Sequence, residues 1–202
     1  MFDEWFRRHK ERWFTPLALR IGNMISPLAI TLLALVLGLA SAFAAGFSAW
    51  MFAVSLWLAN RLLDGLDGTL ARVQQRQSDL GGYLDIVLDF VVYSAIPIGI
   101  AIALDTRASW LVTSVLLATW FVNAASWMYL AAVLERRGAG AASRGELTTV
   151  TMPRGLVAGT ETVVFFTLFL AFSPHYVQLA WVMAAGVTIG IGQRIVWAAR
   201  NL

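Results

Sequence analysis

Three long stretches of the sequence carry no charged side chain, and they limit the folds open to the chain. Residues 21–60 and 108–134 contain no Asp, Glu, Lys or Arg, and residues 162–193 contain only His175 as a group able to become positive. A helix of about 20 apolar residues crosses the roughly 30 Å hydrocarbon core of a bilayer. Each stretch is at least that long, so the sequence predicts an integral membrane protein.

The composition narrows the class of membrane protein. Hydrophobic residues make up 59% of the chain and charged residues only 13%, against about 25% charged in soluble domains. The spans leave no length for a large extramembrane domain, and the long polar–apolar alternation of outer-membrane barrels is missing. The absence of cysteine excludes disulfides, thiolate metal sites and cysteine nucleophiles. We therefore expect an all-α membrane protein.

Polar or Gly- and Pro-containing breaks divide the apolar runs into six predicted transmembrane helices, which form one bundle. The predicted helices run over about 21–44, from 48 to beyond 60, 81–104, 108–134, 154–172 and 176–199. On the last of them, Gly186 and Gly190 are four residues apart, a spacing that permits close helix packing. A homodimer is thus left open beside a monomer.

The segment before the first predicted span mixes charged and aromatic residues. Its aromatic side chains (Phe2, Trp5, Phe6, Trp13 and Phe14) recur at roughly helical spacing. This pattern predicts an amphipathic helix that lies in the headgroup region. Accordingly, residues 1–19 are assigned to a juxtamembrane helix and residues 20–202 to the membrane domain.

The distribution of basic residues predicts the orientation. If both termini are cytoplasmic, 14 of the 15 Lys and Arg residues fall on the cytoplasmic side, and only Arg107 lies outside. This is the bias of the positive-inside rule. The net charge of +3 is therefore interpreted as a topology signal and an attraction to anionic lipid rather than nucleic-acid binding.

Four aspartates at the junction of the second and third predicted helices carry the chemistry. Asp64 and Asp67 are three residues apart, and Asp85 and Asp89 are four apart, so each pair shares one helical face. A cytoplasmic turn between the helices brings the two faces together. The sequence therefore predicts four facing carboxylates at the edge of the hydrocarbon.

Such a cluster needs positive charge, because facing carboxylates repel one another. Arg61 and Arg72 supply at most two charges, and oxygen-only ligation favours a hard cation such as Mg²⁺, Mn²⁺ or Ca²⁺. Small residues leave the helix surfaces beside the acids open to a ligand: Gly65, Gly68, Ala71, Gly81 and Gly82. A divalent metal site is therefore predicted.

The pattern that contains these acids resembles the signature of the CDP-alcohol phosphatidyltransferases. It consists of Asp64, Asp67, Gly68, Ala71, Arg72, Gly81, Asp85 and Asp89, at matching spacing. The resemblance implies a transferase that moves a phosphatidyl-type group from a CDP-linked lipid to an alcohol and releases CMP. It also implies two divalent ions, Mg²⁺ or Mn²⁺, as cofactor.

The resemblance also implies roles for single residues. Asp64, Asp67 and Asp85 are expected to bind metal at the diphosphate, and Asp89 to be both a metal ligand and the catalytic base. The residues expected to contact the cytidine diphosphate are Gly68, Ala71, Arg72 and Gly81. General chemistry agrees, because phosphoryl transfer needs neutralised phosphate oxygens and a group that accepts the proton of the attacking hydroxyl.

Two rival functions share some of these features. An intramembrane prenyltransferase also binds a diphosphate through aspartates and Mg²⁺, but that architecture needs more helices than 202 residues provide. A small cation transporter would place its acids near the midplane of the bilayer, whereas these four lie at predicted cytoplasmic helix ends. Release of CMP from a CDP-linked lipid distinguishes the transferase from both.

The alcohol acceptor stays open at this point. Arg154 and Glu161 are seven residues apart on the predicted fifth helix and so share a face, which is assigned to the acceptor side. Arg194 on the sixth helix is expected to complete a polar recess there, and all three side chains should point into the bundle. The sequence around Pro153 and Glu161 resembles a subset of bacterial family members, so we expect a bacterial inner (plasma) membrane. The segments after Asp85 lack the patterns typical of glycerol-phosphate-using and serine-using members.

Overall fold

The computed structural model describes residues 14–22, 24–140 and 156–202, and within these ranges the chain forms helices and no strands. Residues 14–21 are helical. The longer helices that follow are α1 (Pro27–Gly46), α2 (Trp50–Val73), α3 (Asp79–Leu104), α4 (Arg107–Arg136), α5 (Gly159–Ala171) and α6 (Tyr176–Asn201), with a 3₁₀ turn, Ser173–His175, before α6. The all-α prediction is confirmed.

Four segments in the described ranges are long and apolar enough to cross a membrane: α1, α3, α4 and Ser173–Asn201. The second half of α2 carries the predicted acidic site, which explains why α2 is not among them. Helix α5 has 13 residues and a length of about 20 Å, less than the hydrocarbon thickness. The chain is an integral membrane protein with at least these four candidate spans.

The predicted start of the first span, at Ile21, is wrong. The preceding helical segment ends at Gly22, whose φ is +51°, and α1 begins only at Pro27. Proline disfavours helical backbone at the residue before it, and Ser26 is extended and accepts a hydrogen bond from the Ala29 N–H. Ser26 and Pro27 therefore start a new helix.

The predicted start of the fifth span, at Arg154, lies outside the described residues, and α5 itself begins at Gly159. Residues 156–158 are not helical. Glu161 accepts a hydrogen bond from the Ala158 N–H at 3.0 Å, which satisfies a backbone donor at the helix start. Glu161 thus lies in the first turn of α5, not two turns into it as the sequence suggested.

The N-terminal segment contacts the bundle through its last residues. Residues 1–13 of the predicted juxtamembrane helix are outside the described ranges. Ala18 is fully buried in a small cluster with Ile30, Leu66 and Leu70, so residues 14–21 pack against α1 and α2. An interfacial helix over residues 1–19 stays a prediction.

Helix α1 packs most extensively against α2 and α3, and α4 against α6, while α5 lies against α2 and α6. Two glycines allow α1 and α3 to approach closely. A Cβ at Gly99 would lie 2.3 Å from the Ala42 carbonyl oxygen, and one at Gly38 would lie 2.5 Å from a Val92 methyl. Any larger side chain there would push the two helices apart, and α3 carries half of the acidic site.

The glycines of α6 take part in packing within the chain. A Cβ at Gly186 would lie 2.9 Å from a Val157 methyl group, and Gly190 is buried. Gly186 therefore packs against the segment that precedes α5, and the close packing between helices expected of this glycine pair stays a prediction. A homodimer stays a prediction.

Candidate active site

The four aspartates lie where α2 ends and α3 begins, joined by the short connection 74–78. Three of them, Asp64, Asp85 and Asp89, line one cleft between α1, α2 and α3. Gln74 holds this end of α2 by donating to the Ile25 carbonyl at 2.9 Å. The predicted meeting of the two acidic faces is therefore observed for these three side chains.

Asp67, the fourth aspartate, is buried next to α1 with 5% of its surface exposed. Its Oδ2 accepts a hydrogen bond of 2.6 Å from the Thr31 hydroxyl. Its Oδ1 accepts from the Gly68 N–H. Both oxygens of this carboxylate are thus oriented by neighbouring donors.

Arg61 and Asp89 form a two-pronged ion pair across the cleft. The two terminal nitrogens of the guanidinium lie 2.6 and 3.3 Å from the two carboxylate oxygens. The same guanidinium lies 3.6 Å from an oxygen of Asp64. The buried guanidinium of Arg61 therefore links Asp64 of α2 to Asp89 of α3.

The guanidinium of Arg61 is enclosed by groups from three helices. Its Nε donates to the Asn60 side-chain oxygen at 2.7 Å, and Asn60 donates to the Ala34 carbonyl of α1 at 2.7 Å. The guanidinium carbon lies 4.7 Å from the Trp57 ring centre and 5.0 Å from that of Tyr93, distances at which cation–π attraction contributes. Arg61 is therefore held in one position.

These pairings determine how the acids are arranged. In the described part of the chain, no three Asp, Glu or His side chains converge closely enough to hold a metal ion. Arg61 contacts Asp89, and Thr31 contacts Asp67. The carboxylates of the predicted cluster thus lie near one another around the cleft rather than converging on one point. Arg61 balances part of their negative charge. The metal-binding roles of the four aspartates stay predictions.

The residues assigned to the cytidine diphosphate lie along the same helix ends. Arg72 donates to the Thr69 hydroxyl at 3.3 Å. A Cβ at Gly68 would meet only the Arg72 side chain, at 3.6 Å, so packing does not require glycine there. Ala71 follows one turn after Gly68, and Gly81 is exposed in the first turn of α3. The small residues leave this side of the acids accessible.

The residues assigned to the acceptor are not gathered in one described site. Arg154 is outside the described ranges, and Glu161 caps the start of α5. Arg194 is only 6% exposed and donates to Asn123 and Ser126 of α4 at 2.7 and 2.9 Å. The predicted inward position of Arg194 is observed, and the acceptor roles stay predictions.

Sequence reasoning missed two contributors to the site, Thr31 and Tyr93, and the ion pair made by a third, Arg61. Thr31 lies 36 residues before Asp67, so local spacing does not reveal their contact. Tyr93 accepts a hydrogen bond of 2.6 Å from Arg61; its signal is the four-residue spacing from Asp89, which places it on the same face. Arg61 itself was considered only as a source of charge, although its spacing from Asp64 indicates a shared face.

Residues 24–192 match the sequence profile of the family described as CDP-alcohol phosphatidyltransferase. The match covers most of the chain, and it includes the three aspartates of the cleft and Asp67. The chain belongs to the CDP-alcohol phosphatidyltransferase family. It is therefore a membrane transferase of the class that moves a phosphatidyl group from a CDP-linked lipid to an alcohol in phospholipid synthesis.

Individual relatives agree with this assignment. The inner membrane protein YnjF of Escherichia coli is 31% identical over 161 residues, which cover 80% of this chain and 77% of that protein. A bifunctional IPC transferase and DIPP synthase of Aquifex aeolicus is 37% identical over 89 residues, covering 44% of this chain and 20% of that protein. The chain thus matches only about a fifth of the second relative.

Solved structures share the fold. The phosphatidylinositol phosphate synthase of Mycobacterium tuberculosis with CDP-DAG bound has a TM-score of 0.71 and 22% identity, over 91% of this chain and 92% of that one. The same enzyme with manganese and citrate has a TM-score of 0.70 and 20% identity, over 90% and 87%. At this identity, the likeness establishes the fold.

Proposed function

We propose that the cleft between α1, α2 and α3 binds the diphosphate of a CDP-linked lipid. The observation that carries this proposal is the meeting of Asp64, Asp85 and Asp89 around one opening in a chain of the family. We further propose that the six helices form one membrane-embedded bundle, with the cleft and both termini on the cytoplasmic side of a bacterial inner membrane. The bias of the basic residues supports this orientation.

The oxygen ligands that the four aspartates provide suit a divalent cation. The aspartates provide only oxygen ligands, as hard ions such as Mg²⁺ and Mn²⁺ prefer, and a neighbour in fold was solved with manganese. Asp64, Asp67, Asp85 and Asp89 would hold two such ions once their side chains converge on the cleft. When bound, these cations would neutralise the diphosphate and the departing CMP.

The chain's own residues would position the donor. Glycine at position 68 is not required by packing, which supports a role in letting the ligand approach the backbone of α2 closely. Arg72, one turn further along α2, would contact a phosphate oxygen, for which the guanidinium geometry is well suited. Ala71 and Gly81 would complete the open surface beside the diphosphate.

Asp89 would act as the base. The hydroxyl oxygen of the acceptor attacks the phosphorus that carries the lipid, and its proton passes to the Asp89 carboxylate. As the new P–O bond forms, the bond to the CMP oxygen breaks, and CMP leaves with the electron pair. Asp89 lines the cleft from α3, where its carboxylate could receive that proton.

We propose a phosphorylated alcohol as the acceptor. The solved neighbour is named for a product with a phosphorylated headgroup. Arg154, which is assigned to the acceptor, and Arg194, which is expected beside it, are both cationic. Glu161, at the start of α5, would accept a hydrogen bond from a hydroxyl while it caps the helix. Arginine pairs with phosphate through two parallel hydrogen bonds, which an uncharged headgroup does not offer.

An acceptor panel tests the proposal. The purified protein is incubated with CDP-diacylglycerol, Mg²⁺ and one of five acceptors: glycerol phosphate, serine, inositol, inositol phosphate or choline. We expect CMP release with a phosphorylated acceptor and none in EDTA. Release with serine, inositol or choline alone would refute the acceptor class. No release with any acceptor, or equal release in EDTA, would refute the metal-dependent transfer.

A further inference from the structure

Arg61 has more partners in the cleft than charge balance alone requires. It contacts Asp89 through both terminal nitrogens, Tyr93 through one of them at 2.6 Å, and Asn60 through Nε. Its side chain is only 9% exposed. A long flexible side chain loses substantial conformational entropy when it is fixed in this way. Its fixed geometry therefore needs an explanation beyond neutralisation.

The surroundings of Arg61 join the site to the interior of the bundle. Trp57 lies beneath the guanidinium and donates its ring N–H to the Thr167 hydroxyl of α5 at 3.1 Å. Its ring also packs 5.2 Å from that of Phe166. Contacts from α1, α2, α3 and α5 thus set the position of one guanidinium, and the guanidinium in turn sets the position of one carboxylate.

We propose that Arg61 is a positioning residue for the transfer reaction, which holds the carboxylate of Asp89 in the orientation that receives the acceptor proton. This inference rests on the proposed role of Asp89 as the base. The two-pronged pair contacts both oxygens and so restricts rotation of the carboxylate about its side-chain bonds. Each carboxylate oxygen has two acceptor positions, and the guanidinium occupies one of them. The other stays available to the acceptor hydroxyl.

The contact with Asp64 adds a second consequence. Arg61 lies between acids of α2 and α3, 3.6 Å from Asp64 and 2.6 Å from Asp89. A positive charge between the two carboxylates reduces their repulsion and sets the separation of their helices at this level. Because misplacing a reacting group by about 1 Å costs roughly 100-fold in rate, loss of Arg61 should lower kcat far more than it weakens donor binding.

The test compares Arg61→Met with Arg61→Lys and with Asp89→Asn. Methionine preserves much of the aliphatic part of the arginine side chain. Lysine preserves the positive charge but not the planar guanidinium that makes two parallel hydrogen bonds. Arg76→Met is the matched control, because Arg76 is an exposed arginine just after α2. For each variant, kcat and the KM for CDP-diacylglycerol are measured with the acceptor that the panel identifies. Folding is checked by gel filtration and thermal unfolding in detergent.

We expect kcat to fall about 100-fold in Arg61→Met, with the donor KM within about threefold of wild type. Arg61→Lys should be intermediate, and Arg76→Met should match wild type. The double variant of Arg61→Met and Asp89→Asn should be no slower than Asp89→Asn alone, since the arginine acts through the aspartate. A merely structural arginine would not give this non-additivity.

Near-normal kcat in Arg61→Met, or losses that multiply in the double variant, would overturn the inference. If Arg61→Met fails to fold, the positioning role is tested with Tyr93→Phe instead. This variant removes the hydroxyl that accepts a hydrogen bond from the Arg61 guanidinium and keeps the aromatic ring. Reduced kcat with unchanged donor KM in Tyr93→Phe then supports the positioning role, and an unchanged kcat overturns it. If the wild-type protein releases no CMP, the proposed function and this inference both fail. If the wild-type protein is active, the kinetics of the variants test the role of Arg61 alone.

Discussion

The hydrogen bond between Thr31 and Asp67 gives a quantitative test of how α1 supports the site. The Thr31 hydroxyl lies 2.6 Å from Asp67 Oδ2 and 3.1 Å from the Pro27 carbonyl oxygen. The hydroxyl has one hydrogen, and the shorter contact to a charged acceptor is the stronger. The carboxylate is therefore the main acceptor, and the carbonyl contact is secondary.

The Thr31→Val variant removes the hydroxyl and keeps the branched shape. A hydrogen bond to a charged group contributes about 1.5–3 kcal/mol, and water does not easily replace it, because Asp67 is only 5% exposed. A methyl group would also contact the carboxylate oxygen and turn it away. If the bond persists in the complex, CDP-lipid affinity should fall by about 10- to 100-fold, at about 1.4 kcal/mol per factor of ten.

Thr31→Ser is the matched control, because serine retains the hydroxyl and loses only the methyl group. Titration calorimetry with CDP-diacylglycerol in detergent, in Mg²⁺ and in EDTA, measures the affinity of each variant. We expect Thr31→Ser to bind within about threefold of wild type. Wild-type affinity in Thr31→Val, or an equal loss in both variants, would refute the reasoning.

Four further outcomes are expected. Asp89→Asn should retain CDP-lipid affinity in calorimetry and lose about 10²- to 10⁴-fold in turnover; near-normal turnover would exclude a base there. Asp67→Asn should weaken Mg²⁺ and CDP-lipid binding together, an expectation contradicted if donor affinity is the same as in wild type. Gly68→Ala should unfold at the wild-type temperature yet bind CDP-lipid more weakly, because its Cβ meets no close neighbour; unchanged affinity would argue against the donor contact. Gly99→Ala should unfold at a markedly lower temperature than wild type, because its Cβ would lie 2.3 Å from a carbonyl oxygen. Gly192→Ala is the control and should unfold at the wild-type temperature, because its Cβ would have nothing within 4 Å. Equal unfolding temperatures for the two variants would be inconsistent with the close packing of α1 and α3.

The helical class and the acidic site could be predicted because each depends on short-range pattern. An uncharged run longer than about 20 residues has few alternatives to a membrane helix. Asp64 with Asp67, and Asp85 with Asp89, share helical faces by spacing alone. The short connection between their helices brings Asp64 together with Asp85 and Asp89 at the cleft, and this proximity is what the structure shows.

Helix ends were predicted less well, because they depend on single side chains that satisfy backbone groups. Ser26 and Pro27 separate α1 from residues 14–21, although the apolar run continues through them. Glu161 was interpreted as an acid inside a span, whereas it accepts a hydrogen bond at the start of α5. In both cases a polar group at a helix start outweighs the hydrophobic pattern around it.

The sequence by itself determined that the chain is a helical membrane protein and that acids of α2 and α3 come together, although it placed Asp67 with the other three. Only the tertiary structure decided that Thr31 is a partner of Asp67 and that Arg61 is a partner of Asp89. These partners lie on different helices, so their contact depends on the distance and rotation between helices rather than on spacing within one. Packing between helices, such as the close approach of α1 and α3 at Gly99, fixes such distances and leaves no periodic signal in the sequence.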